Sequence, residues 1–123
     1  VPDMKIPILY ALTWPHRTPS TFERLDITTI GSMTFFKPDI QRFRCLYLAF
    51  EAMKLGGSAT AVLNAANEVA VARFLREELA FTAIPQAIEA ALHKIPHLTH
   101  PSIDDIIAVD DAAREYVSSY IAS

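Results

Sequence analysis

The chain has 123 residues, a hydrophobic fraction of 51%, a charged fraction of 20% and a formal net charge of −3, which is enough apolar material for one packed core and too little charge for a disordered segment. No basic stripe points to nucleic acid, no apolar run reaches the ~18–20 residues that span a bilayer, and one cysteine, Cys45, excludes an intrachain disulfide. The opening run VPDMKIPILYAL starts abruptly on large apolar residues and reads as a piece of a longer protein whose partner surface is missing.

Asp3 is placed to cap a first helix running to about Leu12, with Pro7 tolerable only near its first turn. Ile6, Leu9 and Tyr10 would form its apolar face. Trp14-Pro15 ends it, because the residue before proline is pushed out of the α region. Residues 15–39 carry Pro15, Pro19 and Pro38 among β-formers, and predict a connector with one or two short strands, centred on residues 33–36. Asp39 is the expected cap of a second helix over residues 40–55. Phe43, Leu46, Leu48, Phe50 and Met53 would be its apolar side chains, and Gly56-Gly57 its stop.

The stretch that organises the rest is ATAVLNAANEVAVARFL, residues 59–75, free of Gly and Pro and apolar on nearly every side. It predicts a central helix, capped by Ser58 or Thr60, whose alanines admit neighbouring helices closely. Asn64, Asn67 and Glu68 break the pattern within about a third of a turn. They are expected to be buried and hydrogen-bonded inside the helical domain; the alternative is a surface that faces another domain. Thr82 is a candidate cap for a third helix over residues 83–94, with a clean apolar face at Ile84, Ala87, Ile88, Ala91 and Leu92. Ser102 and Asp105 form a candidate capping box for a short turn ending near Ile107, and Asp110 a second cap for a final helix over residues 111–121. The sum is a connector followed by about four helices in a small bundle, a mainly α fold.

Few residues here suggest chemistry. His93, His97 and His100 are split by Pro96 and read as surface loop histidines rather than metal ligands. Cys45, among Phe43, Leu46 and Leu48, reads as a small buried hydrophobe. Asp104, Asp105, Asp110 and Asp111 fit helix starts better than a cation site. No phosphate-cradling glycine motif and no nucleophile elbow is present.

Several stretches together resemble the C-terminal portion of 1-deoxy-D-xylulose 5-phosphate reductoisomerases. They are Pro2-Asp3-Met4-Lys5-Ile6-Pro7-Ile8, Thr13-Trp14-Pro15, Leu25-Asp26-Ile27, the run RFRCLYLAFEA at residues 42–52, LNAANEVAVARFL at residues 63–75, and residues 104–114. Lys5, Ile6 and Arg44 depart from the family pattern, Arg44 by replacing a proline. The resemblance implies that residues 1–13 end a catalytic domain, 14–39 connect, and 40–123 form a helical domain. It implies a full-length enzyme that converts 1-deoxy-D-xylulose 5-phosphate to 2-C-methyl-D-erythritol 4-phosphate in non-mevalonate isoprenoid biosynthesis. That enzyme would use NADPH and a divalent cation (Mg, Mn or Co), act as a homodimer, and reside in the bacterial cytoplasm or the plastid stroma. Of its pocket residues only Met4 remains here, as a lining of the nicotinamide–substrate cleft. No catalytic group and no metal ligand is expected in this piece, which by itself would be inactive. The rival reading is a free-standing helical protein-interaction module.

Overall fold

The structure, a computed structural model, describes residues 3–22 and 26–121. It divides into two compact units, Val1–Lys37 and Pro38–Ser123.

In the first unit, α1 runs over Lys5–Thr13. Asp3 Oδ1 accepts the Lys5 N–H at 2.9 Å, and Trp14 leaves the helix with ψ 136° before Pro15, as the X-Pro restriction requires. Thr13 Oγ1 donates to the Leu9 carbonyl and closes the last turn. Among the described residues no strand forms. Residues 27–29 make a single 3-10 turn, because Asp26 Oδ1 accepts both the Thr28 N–H and the Thr28 hydroxyl and so captures the local backbone. Residues 33–36 have no ladder partner, and a lone β-forming stretch cannot satisfy its own backbone groups. Leu25 lies outside the described residues.

The second unit is a four-helix bundle: α2 Arg44–Leu55, α3 Ala59–Leu75, α4 Ile84–Lys94 and α5 Ile103–Ser118. α3 packs against α2, α4 and α5, as its apolar circumference predicts. Ala59, Val62, Ala65, Ala66 and Ala70 are its buried residues. α2 begins at Arg44 rather than residue 40. Asp39 Oδ1 accepts the Gln41 and Arg42 N–H groups and closes a separate turn, and Phe43 (φ −100°, ψ 64°) breaks that turn from the helix. Of the α2 side chains expected in the core, only Leu48 is buried, joined by Ala52. Phe43, Leu46, Phe50 and Met53 are exposed, and so is Cys45, against the burial expected for it. The Cys45 thiol is nonetheless shielded enough by its neighbours to be held above its ordinary pKa.

Residues 81–83 form a 3-10 turn before α4, with Ala83 rather than Thr82 in the cap position and Pro85 in the first turn. α5 is one continuous helix, not a short turn followed by a second helix. Ser102 and Asp105 do make the expected capping box. Asp110 caps nothing and pairs with Arg114 one turn on, since no Gly or Pro lies between residues 103 and 118 to interrupt the ladder. Arg73 Nη1 donates to the Val117 and Tyr120 carbonyls at 2.8 and 2.6 Å, satisfying acceptors that the end of α5 leaves free.

The two interhelical loops at one end of the bundle hold each other. The buried Ser58 N–H donates to the Leu98 carbonyl at 2.9 Å, and Ser58 Oγ accepts the Leu98 N–H at 3.0 Å. The Ser58 side chain therefore serves this clasp and makes no capping bond to α3.

Candidate functional site

Met4 occupies the N-cap position of α1 and is 71% exposed. The helix it opens is apolar on most sides yet buries none of its residues: Ile6, Ile8 and Leu12 are exposed and Leu9 is half-buried. Tyr10 and Trp14 meet edge-on with ring centroids 5.6 Å apart, and the Arg17 guanidinium lies 5.1 Å over the Tyr10 ring. Its sequence neighbours Asp3 and Lys5 form a loose pair, 3.8 Å apart. Such surroundings suit an unbranched thioether as an apolar contact.

The polar trio of α3 does not go inside. Asn64 and Glu68 are exposed and Asn67 is half-buried, so the expected interior network is corrected to a surface one. Asn64 Nδ2 donates to Glu68 Oε1 at 3.1 Å, and Glu68 Oε2 accepts from Arg114 Nη2 at 2.8 Å. Arg114 also holds Asp110, so one guanidinium ties α3 to α5. The Arg114 hydrogen bond, and then that of Asn64, hold the Glu68 carboxyl below its ordinary pKa. A depressed folded-state pKa gives stabilisation that is fully present above the ordinary carboxylate value and is lost as pH falls through the folded value. The thermal midpoint of Glu68→Gln is therefore expected to lie below that of the parent chain at neutral pH, with the gap closing on acidification. A gap that does not change with pH would contradict this linkage.

A groove of about 500 Å³ runs between α2 and α4, lined by Arg44, Tyr47, Glu51, Glu89, Leu92 and His93. Arg44 pairs with Glu89 across it and lies 4.4 Å over the Tyr47 ring. Arg44 thus ties α2 to α4. The sequence offered no signal for this pair, whose members lie 45 residues apart. The Asp110–Arg114 pair, by contrast, was readable as an i, i+4 spacing.

His93 and His100 are exposed, and His97 Nε2 stands 3.2 Å from the Gly56 carbonyl. Among the described residues no set of three or more His, Cys, Asp and Glu side chains converges to hold a metal ion. Gly56-Gly57 is no phosphate cradle either, because the space a Gly57 Cβ would fill is taken by the Leu98 carbonyl. The described residues thus offer no such set for a divalent cation, and Gly56-Gly57 leaves no room for a dinucleotide phosphate.

A family model described as the DXP reductoisomerase C-terminal domain matches residues 1–116. The chain is 50% identical over 120 residues to a 1-deoxy-D-xylulose 5-phosphate reductoisomerase of Acetivibrio thermocellus, matching 98% of this chain and 32% of that protein. It is 46% identical over 123 residues to the one from Synechococcus sp. strain CC9902, matching 98% of this chain and 30% of that protein. The structure of the Zymomonas mobilis reductoisomerase in complex with NADPH superposes with a TM-score of 0.79 at 41% identity, over 97% of this chain and 31% of that one. A reductoisomerase structure in complex with NADPH, fosmidomycin and magnesium gives 0.76 at 35% identity, over 96% and 31%. The chain therefore spans about 30% of the length of its relatives.

Proposed function

This chain belongs to the DXP reductoisomerase C-terminal domain family, and from that premise we propose that it is the C-terminal portion of a 1-deoxy-D-xylulose 5-phosphate reductoisomerase. The observation that carries this reading is the family match, which runs in order over residues 1–116 and takes in both α1 and the bundle. The full-length protein would rearrange and reduce 1-deoxy-D-xylulose 5-phosphate to 2-C-methyl-D-erythritol 4-phosphate, as a homodimer in a bacterial cytoplasm or a plastid stroma. In it NADPH would supply the hydride, and a divalent cation would be held by residues outside this chain.

Residues 1–13 would close the catalytic domain, residues 14–39 connect, and residues 40–123 act as a scaffold that holds the wall of the active site. Met4 would line the nicotinamide–substrate cleft, its thioether packing against the ring and excluding water. Its exposure at the tip of an unburied apolar helix supports that role. No observation favours a free-standing interaction module over this reading.

The test is NADPH oxidation with 1-deoxy-D-xylulose 5-phosphate. Metal-dependent turnover is expected from the full-length protein and none from the 123-residue chain. In the full-length protein, Met4→Ala is expected to raise KM for NADPH more than it lowers kcat. Turnover by the isolated chain, or an inactive full-length protein, would overturn the proposal.

A further inference from the structure

The backbone at Met4 is bracketed by hydrogen bonds. Met4 opens α1 in a helical conformation, φ −66° and ψ −17°, and its own side chain makes no capping bond. Asp3 reaches over it instead. Asp3 Oδ1 accepts the Lys5 N–H at 2.9 Å, so the two partners of that bond flank Met4 in the chain. The Met4 carbonyl in turn accepts the Ile8 N–H at 3.2 Å, the first rung of the helix. The first four N–H groups of a helix have no partner within it, and here they belong to residues 4–7. Pro7 carries no N–H, and Asp3 takes that of Lys5. Local bonds of this kind carry the start of α1, because the helix buries none of its residues.

We propose that Asp3 is a positioning residue for the reaction: it holds the Met4 backbone, and through it the thioether, in the orientation that packs on the nicotinamide. The inference rests on the reading of Met4 as a lining of the nicotinamide–substrate cleft. A methionine side chain is flexible and adapts to its contact, but only within the cone that its Cα–Cβ direction allows. That direction is set by the backbone. A first turn that frays releases Met4 from the helical region and turns its side chain away. Asp3 itself has no free oxygen pair for chemistry in this role. Oδ1 is committed to the Lys5 N–H, and Oδ2 stands 3.8 Å from Lys5 Nζ. The role calls for an oxygen acceptor that reaches two residues on. Asparagine supplies one as aspartate does, serine supplies one more weakly, and alanine supplies none.

The experiment measures NADPH affinity of the full-length protein from cofactor fluorescence in the absence of substrate, with KM and kcat for NADPH alongside. Asp3→Ala is expected to weaken NADPH binding by roughly threefold to tenfold, the worth of a lost helix-start acceptor. It should raise KM more than it lowers kcat, as Met4→Ala does. Asp3→Asn should stay within about twofold of the parent, with Asp3→Ser between the two. In a Met4→Ala background, Asp3→Ala should add less than about twofold, because the group it positions is gone. The same test with Asp3→Ser decides the question if Asp3→Ala does not fold. Losses that multiply in the double variant would show that Asp3 acts independently of Met4, and overturn the proposal. So would an Asp3→Asn protein as impaired as Asp3→Ala, which would assign the effect to the charge. Unchanged affinity in Asp3→Ala beside a clear loss in Met4→Ala overturns the positioning alone. Unchanged affinity in Met4→Ala overturns the reading of Met4, and the positioning with it.

Discussion

Gly57→Ala is expected to lower the unfolding free energy of the bundle by about 3–4 kcal/mol, as measured by urea denaturation. Two separate penalties meet at this position. The backbone has φ +51°, which an L side chain adopts only at a strain of roughly 1–2 kcal/mol. The new Cβ would also stand 2.1 Å from the Leu98 carbonyl oxygen. That oxygen belongs to backbone and already accepts the Ser58 N–H, so relief requires the α4–α5 loop to move away and the clasp to open. Gly56→Ala is the internal control. Gly56 also has a positive φ, +68°, but nothing lies within 4 Å of its Cβ, so only strain should be felt. Gly57→Ala is expected to be the more damaging by about 2 kcal/mol and to expose the Leu98 amide to hydrogen exchange, which Gly56→Ala should not do. Equal losses for the two variants would show that the contact with Leu98 yields freely.

Ile88→Ala should lower stability by about 4 kcal/mol, toward the upper end of the range for such truncations. Ile88 is among the largest fully buried side chains and sits in the cluster that joins α2, α3, α4 and α5. The cost of a cavity depends on how far its walls can close. Much of this cluster is alanine, namely Ala65, Ala66, Ala70, Ala83, Ala87, Ala91 and Ala113, and alanine has no rotatable side chain to swing into the space. Leu75→Ala, at a position 74% exposed, should change stability by less than about 0.5 kcal/mol. A loss below about 2 kcal/mol at Ile88, measured by the same denaturation, would mean that the helices themselves shift to fill the gap.

How legible a residue was depended on where its partners lie. The helices of the bundle could be read because each carries local signals: the Ser102–Asp105 box, Pro85 in a first turn, Gly56-Gly57 as a stop. Ends whose signal was ambiguous came out differently. Asp39 and Asp110 are both good cap residues, but one closes an isolated turn and the other pairs with Arg114 inside an unbroken helix. The polar trio of α3 misled because a run of apolar sequence neighbours says nothing about which arc of the helix reaches solvent. Glu68 finds Arg114 across 46 residues, a distance at which no local spacing rule applies.

The sequence alone determined the helical class, the central place of α3 and the family resemblance, since periodicity, alanine content and motif order are all written in consecutive residues. Only the tertiary structure decided that Leu48 and Ala52 are the buried side of α2 while Phe43, Leu46, Phe50 and Met53 face outward. It also decided that the Ser58 hydroxyl serves Leu98 rather than α3. The physical reason is the same in both cases. Hydrophobicity states that a side chain gains by leaving water, but the direction in which it can do so is fixed by which neighbours are present to receive it.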